Sequence, residues 1–189
     1  MTSSNCADGT ERCAEAISFM DFEYDLIVNL QGDAPLSPAW FVQDLIDSFK
    51  TNVDADMATP VLRCDKETIS ALKEDRSMGR VGGTTAIFDK NNKALYFSKE
   101  VLPYSNTKDT PIYHHVGIYA YKPKALKEYI SWSVGPLEDG EGLEQLRFLE
   151  NGGYINCVEV DGMGRAFWEV NNPSDVPKVN SMLKRLGIS

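Results

Sequence analysis

Asp25-Leu26-Ile27-Val28-Asn29-Leu30-Gln31-Gly32-Asp33-Ala34-Pro35 is the stretch whose reading decides the fold. Its first half has a continuous apolar centre, which suits a strand covered on both faces. Its second half is a polar loop, and the carboxyl end of a buried strand is where an open α/β sheet binds ligands. Upstream, Cys6-Ala7-Asp8-Gly9-Thr10 reads as a loop entering a helix. Thr10 is the expected cap, and Cys13, Ala14, Ile17 and Met20 form its apolar stripe. Downstream, Ser37-Pro38 reads as a cap followed by a first-turn proline, with Phe41, Leu45 and Phe49 on one helical face. A strand over 56–62 and a short helix over 68–75 follow. Helix, strand, helix, strand, helix favours an α/β fold over a bundle or a sandwich.

Farther along, 84–88 and 94–97 flank Asp89-Lys90-Asn91-Asn92-Lys93 and predict an antiparallel hairpin. The run from His115 to Tyr121 predicts one strand, and Pro123 opens a helix through Ile130. Residues 132–142 read as an acidic loop, and 143–149 as a helix stopped by Asn151-Gly152-Gly153. A strand over 155–160 and a last helix from Pro173 complete the chain. No repeat or long polar linker divides it, so residues 1–189 are expected to form a single domain.

Composition narrows the function. At 42% hydrophobic and 25% charged residues the chain is globular in character. Nineteen Lys and Arg against twenty-eight Asp and Glu give a formal charge of -9, which argues against nucleic acid or a membrane surface as general partners. No apolar run is long enough for a membrane span, and no secretory signal is expected. Cys6, Cys13, Cys64 and Cys157 form no CxxC pair or zinc framework and fit a reducing cytoplasm.

Asp33 is a strand-end carboxylate that suits magnesium and a phosphate-bearing substrate, or else a turn acceptor. Gln31 either reads ligand hydroxyls or satisfies the loop backbone. Asp8, Gly9 and the helix that follows offer free amides to ligand oxygens, with Arg12 as the nearest cation; a capped surface helix is the alternative. His115 and Tyr119 are four apart and face one side of a strand. His115 either meets a polyol or carboxylate or is a buried imidazole paired with backbone, and His114 is the weaker candidate. Glu144 and Gln145 either bind hydroxyls or serve as first-turn helix residues. Lys73, Lys99 and Arg147 are candidate anion contacts. No P-loop, serine elbow or Cys/His nucleophile is present.

Five blocks in order carry a resemblance that spans almost the whole chain. They are Asp8-Gly9-Thr10-Glu11-Arg12, 28–36, Ala94 to Lys99 with Leu102-Pro103, His115 to Tyr121, and Pro136-Leu137-Glu138 with Leu143-Glu144-Gln145-Leu146-Arg147. The chain resembles the 3-deoxy-manno-octulosonate cytidylyltransferases, or CMP-Kdo synthetases. The resemblance implies a three-layer nucleotide-diphospho-sugar transferase fold, with a mixed, mostly parallel sheet and a small antiparallel dimerisation region. It implies transfer of a cytidylyl group from CTP to Kdo, giving CMP-Kdo and pyrophosphate for lipopolysaccharide synthesis in the cytoplasm by a homodimer. Mg2+ is the implied cofactor, held by Asp33, the catalytic residue, and by Asn171. Asp8, Gly9 and Arg12 are implied on the nucleotide, and Gln31, His115, Tyr119, Glu144 and Gln145 on the sugar acid. Family members carry about seventy further residues before Asp8, with the first strand and basic nucleotide loop. Asn171 stands where the family has a second metal-binding aspartate, and Asp8 where it has serine. A cytidylyltransferase for a related sugar acid, or a noncatalytic sugar-binding relative, are the alternatives.

Overall fold

The computed structural model describes residues 1–21, 23–104, 110–164, 168, 170 and 173–188. The elements in order are α1 (Gly9–Ser18), β1 (Ile27–Leu30), α2 (Ala39–Thr51), β2 (Met57–Arg63), α3 (Lys66–Ser77), β3 (Thr85–Phe88), β4 (Ala94–Ser98), β5 (Tyr113–His115), β6 (Ile118–Tyr121), α4 (Pro123–Tyr129), α5 (Pro136–Glu141), α6 (Leu146–Glu150), β7 (Ile155–Glu159) and α7 (Asp175–Arg185).

β2 is the spine of the sheet. Along one side it pairs in parallel with β7, from Met57–Ile155 to Val61–Glu159. Along the other it pairs antiparallel with β6 at Met57 and Ala58 and with β5 from Val61 to Arg63. β1 extends the sheet beyond β6, and the β3–β4 hairpin extends it beyond β5. The expected mostly parallel sheet is therefore corrected: among the described residues, β2–β7 is the parallel pair and the other pairings are antiparallel. The cause is insertion. β1 and β2, joined through α2, do run in the same direction, but β6 slots between them and runs the other way.

Side chains alternate across the sheet, and each face has its own core. Tyr119 and Tyr121 point toward a cluster with Ala14 of α1, Leu126 and Tyr129 of α4, and Leu146 and Phe148 of α6. Ile118 and Ala120 point toward Phe41 and Leu45 of α2. Phe41 and Leu45 are fully buried, and each such side chain stabilises the fold by about 1.5–3 kcal/mol. Tyr129 and Tyr121 both stack on Phe148, at centroid distances of 5.1 and 6.0 Å.

Several local expectations shift. β1 ends the sheet and Leu30 is exposed, yet its apolar centre is partly covered on both faces, with Ile27 against the Tyr119–Tyr121 cluster and Val28 against the Phe41–Leu45 cluster. Asp8, not Thr10, caps α1, because its Oδ1 accepts from Glu11 N at 2.7 Å. Thr10 lies inside the helix, its hydroxyl 2.8 Å from that of Tyr121. The strand expected from His115 to Tyr121 breaks at Val116-Gly117, where the Thr59 hydroxyl donates to the carbonyls of Val116 and Ile118. The acidic loop holds α5, whose first turn is capped from outside by the Glu150 carboxylate on Leu137 N and Glu138 N.

Candidate active site

A cleft of about 570 Å³ opens where the start of α1, the loop after β1, the β5–β6 break and the segment from α5 into α6 converge. Asp8, Gly9, Gln31, Asp33, Lys99, His115, Tyr119, Glu144 and Gln145 all line it. A neighbouring shallow recess is lined by Arg12, Asn29 and Gly32, and shares Gly9, Gln31 and Asp33 with the cleft. Arg12 stays out of the cleft itself. Its guanidinium donates to Thr2 Oγ1 and to the Ser3 and Cys6 carbonyls at 3.1–3.3 Å.

The break between β5 and β6 places the His115 and Tyr119 rings side by side, with centroids 5.5 Å apart. His115 is buried, and its Nε2 lies 2.9 Å from the Thr59 hydroxyl. Burial, and then the neighbouring His114, push its pKa down to about 3, so the imidazole is neutral at physiological pH. This departs from the alternative of a backbone-paired imidazole, because the partner is a threonine side chain. The Tyr119 hydroxyl donates to Gln145 Oε1 at 3.3 Å. Gln145 is 2% exposed, and its Nε2 is buried with no hydrogen-bond partner among the described residues. A buried donor left unmade is costly, so this cleft-lining amide is a ready donor for a ligand oxygen.

Glu144 joins three elements. Its Oε2 accepts from Thr10 N at 2.9 Å and its Oε1 from Gln31 Nε2 at 3.1 Å. Enclosure raises its pKa to about 7, the Thr10 amide works against that rise, and the Asp8 carboxylate adds to it. Gly9 makes the crossing possible: a Cβ there would lie 2.8 Å from Gln31 Nε2 and 3.2 Å from Asn29 Nδ2. Asp8 lines the cleft, but its carboxylate is engaged elsewhere. It accepts from Glu11 N, from the Tyr129 hydroxyl at 2.8 Å and from Arg147 at 3.1 Å.

Arg147 is not the free anion contact the sequence suggested. Its side chain is 3% exposed and ion-paired with Asp8, Glu11 and Glu138. Lys73 does not line the cleft, whereas Lys99 does, with its ammonium 3.5 Å from the Gly142 carbonyl. Thr59 and Glu138 were missed as site-supporting residues. Glu138 lay in a block that carried the resemblance, but Thr59 gave no signal, because its role depends on a strand break. Asp33 is exposed at the rim shared by the two recesses, and its carbonyl accepts from Val170 N at 2.8 Å. Asn171 lies outside the described residues. No group of three or more His, Cys, Asp or Glu among the described residues is arranged to hold a metal ion. Mg2+ binds through one or two carboxylates together with substrate phosphates, and the exposed Asp33 carboxylate fits that kind of site.

The sequence model of the Cytidylyltransferase family matches residues 1–159. A 3-deoxy-manno-octulosonate cytidylyltransferase from Maricaulis maris (strain MCS10) is 36% identical over 189 residues, covering 99% of this chain and 73% of that protein. One from Chlamydia pneumoniae is 38% identical over 184 residues, covering 97% and 68%. The solved structure of CMP:2-keto-3-deoxy-manno-octonic acid synthetase complexed with CTP superposes with a TM-score of 0.82 at 27% identity, covering 98% of this chain and 71% of that one. A 4-diphosphocytidyl-2C-methyl-D-erythritol synthase from Anaerococcus prevotii, at 11% identity and a TM-score of 0.55, shares the fold. By the extent of these matches, the chain belongs to the 3-deoxy-manno-octulosonate cytidylyltransferases, within the cytidylyltransferase family.

Proposed function

We propose that this protein transfers a cytidylyl group from CTP to 3-deoxy-manno-octulosonate, releasing pyrophosphate. The observation that carries the reading is the pair of adjoining recesses with Gly9, Gln31 and Asp33 common to both. Two substrates that react directly must meet at a shared boundary, and holding them there converts a bimolecular encounter into a local one. The sugar acid occupies the cleft lined by His115, Tyr119 and Gln145. Neutral His115, Gln145 Nε2 and the Tyr119 hydroxyl offer hydrogen bonds to its hydroxyls, and Lys99 offers a charge to its carboxylate. The nucleotide lies along the Gly9–Asp33 side near Arg12.

In the transfer, a sugar hydroxyl oxygen bonds to the α-phosphorus of CTP and loses its proton. The α–β bridging P–O bond breaks, and pyrophosphate leaves with the electron pair. Asp33 would hold Mg2+ at the shared rim, with Asn171 as a second ligand. Bound there, the ion would neutralise phosphate charge and draw the reacting groups into line. This chemistry asks for no nucleophilic side chain, in keeping with the absence of any serine or cysteine nucleophile motif. A homodimer and a place in lipopolysaccharide synthesis belong to the same proposal, and rest on the family alone.

The test is incubation of the chain with CTP, Kdo and Mg2+, following CMP-Kdo by mass and pyrophosphate by release. Equimolar products with Kdo, and none with related sugar acids, support the reading. Product with another 2-keto sugar acid alone moves the substrate assignment. Kdo binding without product favours a sugar-binding relative.

A further inference from the structure

At the base of the cleft a second, largely buried group ties the lining segments together. Arg147 sits one turn beyond Glu144, and its guanidinium collects three carboxylates: Asp8 at 3.1 Å, Glu11 at 3.2 Å and Glu138 at 2.5 Å. Its face lies 4.1 Å from the centroid of the Tyr129 ring, whose hydroxyl donates to the same Asp8 oxygen that Arg147 holds. One guanidinium among three carboxylates exceeds what pinning α6 needs. Removing two charges from water for one bond is already close to break-even. The geometry explains the excess. Asp8 and Glu11 are the N-cap and first turn of α1, Glu138 is in the first turn of α5, and Arg147 itself is in α6.

A second link runs alongside. Glu144, three residues before Arg147, holds Thr10 N in that same first turn of α1 and Gln31 at the end of β1. Two parallel links between the same pair of segments fix an angle, where one would leave a hinge. We infer that Arg147 is a positioning residue: it locks the first turn of α1 against the Glu144–Gln145 turn, and so sets the spacing between the nucleotide side and the sugar side of the cleft. Arginine is needed because its rigid planar fork grips the Glu138 carboxylate with two nitrogens while still reaching Asp8 and Glu11, a fixed geometry that an ammonium lacks. This rests on the proposed function for what the spacing serves, but the lock itself is a property of the chain.

Two variants test it without removing the buried charge outright. Arg147→Lys keeps the cation and loses the fork; Asp8→Asn keeps the shape and loses the ion pair. Amide hydrogen exchange by NMR reads the lock, and calorimetric titration with Kdo and with CTP reads its use. Both variants are expected to speed exchange at Thr10 N by about tenfold, with Ala58 and Ala120 in the central strands unchanged. Kdo affinity is expected to fall by about fivefold or more in both, and in Arg147→Lys CTP affinity is expected to stay within about twofold. Unchanged Thr10 exchange overturns the inference, and so does an equal rise at Ala58 and Ala120, which marks general loosening. If the starting chain takes up no Kdo, the functional reading fails, while the Thr10 exchange still decides the lock.

Discussion

Asp33 and Arg147 line the same cleft, and the fold treats them in opposite ways. Arg147 is enclosed by carboxylates from α1 and α5, while Asp33 stands exposed on a loop after the strand that ends the sheet. The wall proposed to face the sugar acid is thus set before any ligand arrives. Its hydrogen bonds are made between protein groups, apart from the Gln145 amide left for a guest. The Asp33 rim is instead open to solvent, as a group that must meet phosphate and metal would be. On the proposed function, preorganisation on one side and access on the other would divide selectivity from chemistry, and substitutions on the two sides should separate accordingly.

The largest separation is expected from Asp33→Asn. Mg2+-dependent turnover should fall on the order of a thousandfold, while denaturant melts move by no more than about 0.5 kcal/mol, as for a surface change. Unchanged metal dependence would remove Asp33 from its proposed role. Arg147→Met is the mirror image. It leaves three carboxylates without their cation, and the cost should be about 3–5 kcal/mol, read as a fall of roughly 10 °C in Tm. A melt within a degree of the starting chain would show that the wall is not held as described.

A smaller effect sharpens the contrast at the point where the two sides meet. Gly9→Ala puts a methyl against Gln31 Nε2, the movable end of a flexible side chain. Stability should stay within about 1 kcal/mol, because alanine favours the helix it enters. Kdo binding should weaken about threefold as Gln31 leaves Glu144. Stability lost with binding intact would contradict the placement of Gln31.

Much of this was legible in the sequence, and the unread part has a physical pattern. Phe41 and Leu45 at helical spacing, the 84–88 and 94–97 hairpin, and the 25–35 run all read correctly as local structure. β6 slotting between β1 and β2 did not, because strand order is a long-range choice that local period does not encode. The Val116-Gly117 break depends on Thr59, more than fifty residues earlier, and α5 depends on a cap supplied by Glu150. The candidate residues could be named, yet Arg147 was read as an anion contact because a sequence does not show which carboxylates surround a cation.

The smallest expected change is at His115. Its pKa is depressed by burial, so the native chain binds fewer protons than the unfolded one below pH 6.5. Its contribution to stability is full above that pH and is lost as pH falls toward about 3. Imidazole nitrogen shifts of the folded chain should show His115 neutral from pH 7.5 to 5.5, with no acid limb in turnover assigned to it. An imidazolium signal at pH 6 would place a charged histidine in the cleft and change how the sugar acid is held.

The most direct measurement is calorimetric titration of Kdo into the chain and into Gln145→Leu. The Nε2 donor of this buried amide has no hydrogen-bond partner among the described residues, and a hydrogen bond from it to the sugar acid is worth about 1.5–3 kcal/mol if the acceptor is charged. Saturable binding to the starting chain is expected, with a loss of about tenfold to a hundredfold in the variant, while the Tm moves by no more than a few degrees as the Tyr119 hydroxyl loses its bond to Oε1. Equal affinity in both chains would contradict it, because the sugar acid would then be held somewhere other than this cleft.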